Sequence, residues 1–145
     1  MDPAATPSDF PVHRAVQTRW KDNDHYGHVN NVEFYGYVDS AVNGWLIEAS
    51  GTDIRDLPAI GLVVESSCTY LRPVSFPDAL TVGLRVDRLG TTSVRYALAV
   101  FRDEDSPDVG PVATCTFVHV YVDRSSRRPT PVPDVLRELM ARAQR

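Results

Sequence analysis

From Val12 to Trp20 the side chains alternate with an imperfect period of two and β-branched residues recur, which predicts a strand. Lys21 to His28 is polar and punctuated by Asx residues and Gly27, so it reads as a loop. The period then changes. Val32, Tyr35, Val38, Val42, Trp45 and Leu46 recur at intervals of three and four, predicting one long helix with an apolar face from about Asn30 to Ser50. Asn30 or Asn31 is placed to cap its first turn and Gly51 to end it. Gly36 and Gly44 inside this helix cost about 1 kcal/mol each relative to alanine, and close packing against another surface is the expected compensation.

Beyond a turn-rich linker from Thr52 to Pro58 the pattern is β again. Ile60–Leu71, Leu80–Leu89, Ser93–Arg102 and Val112–Val122 predict four more strands, punctuated by Pro73 and Pro77, by Gly90-Thr91-Thr92 and by Ser106-Pro107. Pro133 followed by Val135, Leu136, Leu139 and Met140 predicts a short C-terminal helix. Residues 1–10 lack periodicity and read as a flexible tail, leaving 11–145 as a single domain. One strand, a long helix and four strands make an α+β layer pattern rather than the alternation of a doubly wound sheet. A helix of about 30 Å can be covered only by an antiparallel sheet that curls around it.

Composition narrows the function classes. With 145 residues, 43% hydrophobic and 23% charged, the chain is globular and too short for two ordinary domains. Fifteen Lys and Arg residues are scattered among nineteen carboxylates, so no nucleic-acid partner is expected. The longest apolar runs fall short of a membrane span and the N-terminus lacks a secretory pattern, so a cytoplasmic protein without a membrane partner is expected. Cys68 and Cys115 lie in apolar segments and read as buried free thiols. His13 and His119 fall within strand patterns and read as hydrogen-bonded structural residues.

Candidate chemistry concentrates in Asp22-Asn23-Asp24-His25-Tyr26-Gly27-His28-Val29-Asn30-Asn31. This segment sets carboxylates, imidazoles and carboxamides beside the N-terminus of the long helix, whose free N–H groups and partial positive charge can stabilise a developing oxyanion. Asp24 could attack a carbonyl or take a proton from water. For so sparse a site a thiolate leaving group fits best, because it departs with far less acid assistance than an amine or alkoxide. No G-x-S-x-G elbow, cysteine–histidine pair or Gly-rich phosphate loop offers another route. Asp22 reads as a loop hydrogen-bonding residue. Read from Asp22 to Glu33 the stretch nearly matches a calcium loop, but Tyr26 stands at a ligand position and a strand precedes it. The His25/His28 spacing suggests zinc, yet no second ligand pair completes a tetrahedron, so neither a metal nor a cofactor is expected.

Arg19 to Tyr35, with its G-H-V-N-N run, resembles the signature of the 4-hydroxybenzoyl-CoA thioesterase family of hotdog-fold proteins, in the variant shared with acyl-ACP thioesterases. The likeness continues through Thr69-Tyr70-Leu71-Arg72-Pro73, Asp87-Arg88-Leu89-Gly90 and Val112-Ala113-Thr114 to Val122. It implies a five-stranded sheet around one helix, homodimers or dimers of dimers, and hydrolysis of an acyl-CoA or acyl-ACP thioester at the dimer interface. By that resemblance Asp24 is the catalytic carboxylate, as nucleophile or general base. The N–H near Asn31 polarises the carbonyl, and His28 and Asn30 orient water or Asp24. Tyr26, with Val63 and Val64 from the partner chain, is expected to line the substrate site, and Arg88 and Arg124 to meet the CoA phosphates. A plant-type Asn/His arrangement is not matched, since Tyr26 and Ser40 stand at its Asn and Glu positions. A non-catalytic acyl-thioester-binding protein on the same fold is the alternative, with calcium binding behind it.

Overall fold

A computed structural model describes residues 2–145. The elements follow as β1 (Val12–Gln17), α1 (Asn31–Ser50), β2 (Ala59–Tyr70), β3 (Ala79–Leu89), β4 (Ser93–Arg102), β5 (Ala113–Asp123) and α2 (Asp134–Arg142). The five strands form one antiparallel sheet in the order β1-β3-β4-β5-β2. On its concave face Leu80, Val82, Leu84, Val86, Val94, Tyr96, Leu98 and Val100 are fully buried, the period-two pattern of half-covered strands. Against them α1 lays Phe34, Tyr37, Val38, Ala41, Val42, Trp45 and Leu46. No helix among the described residues is long and apolar enough to cross a membrane.

The helix begins and ends as its sequence dictates. Asn30 accepts the Val32 N–H at 3.1 Å through its side chain, and Gly51 closes the last turn in the left-handed region at φ 66°, where a glycine carries no Cβ penalty. Its buried face differs at the first turns: Phe34 and Tyr37 turn inward, whereas Val32 is exposed and Tyr35 only half-buried. Of the two helical glycines, Gly44 has the expected close neighbour. A Cβ there would lie 2.7 Å from the Arg14 guanidinium, which is itself paired with Glu48 at 2.7 Å. Gly36 has nothing within 4 Å, so the packing expected to offset it is not made within this chain.

Three further expectations are corrected. The first strand stops at Gln17, because Thr18 turns its hydroxyl onto the Asp78 carbonyl and Trp20–Asp22 forms a 3-10 turn. The expected flexible tail is docked on the convex face of the sheet. Phe10 is 3% exposed, packs edge-on against Phe101 at 6.0 Å and fills the place a Gly83 side chain would take, while His13 binds the Pro7 carbonyl at 2.7 Å. Residue 1 of that tail lies outside the described residues. Finally, His119 is buried as expected, but nothing among the described residues bonds its Nε2.

β2 is an edge strand, and nearly all of it is exposed despite its apolar composition. A bulge at Val64 interrupts its pairing with β5. Cys68 and Cys115 are free thiols that stand directly opposite each other across this pair, their sulfurs 2.7 Å apart.

Candidate active site

The loop from Asp22 to Asn30 is pinned at both ends. Asn23 and Val29 form an isolated bridge, Val29 donates to the Val74 carbonyl at 2.8 Å, and Asn30 donates to the Asp22 carbonyl at 2.8 Å. Between these anchors the chain reverses through Gly27 at φ 84°, and the Asp24 N–H closes the turn on the His28 carbonyl at 2.8 Å. The Asp24 carboxylate accepts the Tyr26 N–H at 2.8 Å and the His28 N–H at 3.4 Å, both through Oδ1. Its position is thus fixed by its own turn, and Oδ2 is clear of protein donors among the described residues.

Asp22 plays a different part. It is 0% exposed and accepts the Tyr37 hydroxyl at 2.6 Å and the Arg19 N–H at 2.9 Å, with the Arg19 guanidinium 3.1 Å away. Burial alone would raise its pKa, but the Tyr37 hydrogen bond and the Arg19 contacts outweigh burial and hold the carboxyl below its ordinary value. Burial and the same hydrogen bond push the Tyr37 hydroxyl upward. Asp22 therefore ties the loop to α1 and is turned away from the calcium cage its spacing suggested. Among the described residues no three His, Cys, Asp or Glu groups are placed to hold a metal ion.

Asp24, His28 and Asn31 line one cleft of about 410 Å³, closed on its other side by Phe34, Tyr70 and Arg72. Asn31 is the first residue of α1, and among the described residues nothing accepts its N–H. Asp24 and the first residue of α1, whose N–H has no acceptor among the described residues, thus border the same space, a pairing suited to acyl transfer. The Tyr70 hydroxyl donates to the Asn31 carbonyl at 3.0 Å, and its ring meets Phe34 edge-on at 5.4 Å, fixing the wall opposite Asp24. Arg72 is committed to Asp105 at 2.9 Å and the Gly110 carbonyl at 2.8 Å.

The other sequence candidates lie apart. Asn30 does not line the cleft, and its side-chain oxygen caps α1 by accepting the Val32 N–H. Tyr26 is 79% exposed and stacks on His25 at the loop tip, outside the cleft. Val63 and Val64 stand exposed on the β2 edge, and Arg88 is exposed near the end of β3. Arg124 donates to the carbonyls of Leu57 and Arg55, so it clamps that turn onto β5 instead of standing free as a phosphate ligand. The sequence assigned no role to Phe34 or Tyr70, although Tyr70 falls within the Thr69–Pro73 likeness; only the curl of β2 toward α1 brings them together.

A curled antiparallel sheet around one helix, with a carboxylate loop at the helix N-terminus, is the hotdog class of protein. Residues 18–140 match the model of the thioesterase-like superfamily, and the chain belongs to that family. Among solved structures it is 47% identical to the PA5185 protein of Pseudomonas aeruginosa strain PAO1, over 96% of this chain and 95% of that one, with a TM-score of 0.90. PA2801 of Pseudomonas aeruginosa, assigned only provisionally as a thioesterase, is 34% identical over 88% and 96% of the two chains, with a TM-score of 0.80. A thioesterase of Thermus thermophilus, solved with coenzyme A and zinc, is 30% identical over 90% and 98%, with a TM-score of 0.72. No curated protein matches the chain.

Proposed function

We propose that this protein hydrolyses the thioester of an acyl-CoA, or of an acyl group on a carrier protein, to the free acid and thiol. The observation that carries this reading is that Asp24 and Asn31, whose N–H has no acceptor among the described residues, border one cleft. A thioester carbonyl bound there directs its oxygen at the helix N-terminus, where the developing negative charge is stabilised. Asp24 either attacks the carbonyl carbon, forming an anhydride that water opens, or removes a proton from the attacking water. The thiolate leaves without an acid. Membership of the thioesterase-like family and the coenzyme A bound to the Thermus relative support a CoA-linked substrate.

The active unit in this reading is a homodimer. β2 offers an unpaired edge with Leu62, Val63 and Val64 exposed, Val64 at 60%, and such an edge is a template for pairing with another strand. Antiparallel pairing of two β2 strands joins the sheets and covers Val63 and Val64. It also brings the partner's strand to the cleft, where Arg88 and the exposed Arg127 and Arg128 are available to phosphates.

The test is thiol release from a panel of acyl-CoAs, from acetyl to palmitoyl with aryl members. Asp24→Asn should lower kcat by 100-fold or more with KM little changed, the mark of an interaction made only in the transition state. Equal rates for the two proteins would refute the assignment, and tight acyl-CoA binding without thiol release would establish the non-catalytic alternative. Single-turnover hydrolysis in ¹⁸O-water tests the nucleophilic role, since label in the Asp24 carboxylate requires an anhydride opened by water at the Asp24 carbonyl.

A further inference from the structure

A second cleft, of about 170 Å³, opens farther along α1, bounded by Asn43 and Leu46 of the helix, Ile60 and Gly61 of β2, and His119 and Tyr121 of β5. Its walls are mostly apolar. Gly61 keeps one wall open, because a Cβ there would lie 3.1 Å from the Tyr121 ring. His119 is 3% exposed with its Nε2 unbonded, and burial pushes the imidazole toward its neutral form against a weaker upward pull from Asp39. The Tyr96 ring stands edge-on to His119 at 5.4 Å, and its hydroxyl is likewise buried without a partner.

An unpartnered buried polar atom is costly, because the water it gave up is not replaced by a protein partner. The one on His119, a residue that lines the cleft, points to an occupant that brings a hydrogen-bonding atom to it. Arg55 also borders the cleft but is paired with Asp53 at 2.7 Å, and the remaining walls are mostly apolar, which favours an uncharged occupant there. A neutral imidazole nitrogen donates in one tautomer and accepts in the other, and a hydroxyl serves both. The volume is that of roughly six water-sized groups at ~30 Å³ each, enough for a short alkyl segment with its hydroxyl.

We propose that this cleft receives the far end of the acyl group and that His119 selects acyl chains bearing a hydroxyl at a distance from the thioester. The proposal rests on the thioester-hydrolase reading and on the paired β2 edges. Antiparallel pairing about the middle of β2 sets Gly61 of one protomer near Tyr70 of its partner, so the second cleft of one chain continues the Asp24 cleft of the other. A site built to bond a hydroxyl discriminates against the analogue that lacks it, because its own polar group is then left unpaired.

The experiment compares acyl-CoAs of equal length, unsubstituted or with a hydroxyl walked along the chain. Wild-type protein should favour one hydroxyl position over the unsubstituted chain by about tenfold in kcat/KM, and His119→Leu should bring that ratio to one or below. A wild type with no favoured position, or a variant that keeps the preference, overturns the proposal. Imidazole NMR of wild-type protein, with His119 assigned through its contacts to Tyr96, decides the matter even if the variant does not fold. The favoured hydroxyacyl-CoA, or each member of the series if none is hydrolysed, is titrated against its unsubstituted counterpart. A His119 shift specific to one hydroxyacyl-CoA supports the proposal. Identical responses to all, as expected if an ordinary buried water satisfies the ring, refute it. Absence of all acyl-CoA hydrolysis would instead remove the hydrolase reading, with the titration still deciding the role of His119.

Discussion

Asp22 and Asp24 are separated by one residue and do opposite work. Asp22 is sealed under Tyr37 and beside the exposed Arg19, so Asp22→Ala leaves the buried Tyr37 hydroxyl without its acceptor and should cost about 1–3 kcal/mol in denaturant unfolding. Its lowered pKa also carries a sign. The stabilisation is complete above the unfolded value near 4 and is lost as pH falls through the lower folded value. Asp53, held at about 2 by the Arg55 hydrogen bonds, and Glu48, held low by Arg14, act in the same direction, so acid unfolding followed by circular dichroism should set in below about pH 4. His119 acts in a higher window. Burial lowers its pKa, so the stability that comes from its neutral form is present above about pH 6.5 and declines as pH drops below it, and His119→Leu should flatten that part of the profile. The two residues already read differently in the sequence, Asp22 as a hydrogen-bonding loop residue and Asp24 as the candidate for chemistry; what stayed hidden was the partner of Asp22, because the Tyr37 hydroxyl fifteen residues downstream reaches it only once α1 packs on the loop.

At the level of elements, α1 is fixed by a cap at each end, and the candidate site stands at the first of them. Asn30→Ala should lower stability by about 1 kcal/mol through loss of the cap, and it should also impair turnover, since the Asn31 N–H depends on that first turn. Gly51→Ala should cost about 1–2 kcal/mol by forcing a Cβ into the left-handed region, with kcat unaffected because the change lies at the far end of the helix. Both caps were legible in the sequence, as were all five strands, since capping chemistry and period-two alternation are local. The inward face of the first helical turns was not. It is set by the wall that Tyr70 makes with Phe34, a contact between segments 36 residues apart that no local period encodes. The N-terminal segment escaped for a similar reason, because Phe10 docks on Gly83 and Phe101, whose small and flat surfaces become a seat only once β3 and β4 are paired.

Across the whole molecule the core and the site draw on different parts of the sheet. β3 and β4 are sealed against α1, and Leu84→Ala there should cost about 2–5 kcal/mol in unfolding free energy while leaving KM unchanged for the protein that remains folded. β2 contributes far less to that core and far more to the cleft. It supplies Tyr70 to the Asp24 cleft at one end and Gly61 to the second cleft at the other, and most of the strand between them is exposed. In the proposed dimer, a strand arranged in this way would make the catalytic power of the protein a collective property. Diluted below the dissociation constant of the pair, each chain would retain its hydrophobic interior and most of its thermal resistance, yet specific activity should fall steeply. The signature is a rate per chain that rises with enzyme concentration, with a midpoint matching the subunit dissociation measured by analytical ultracentrifugation.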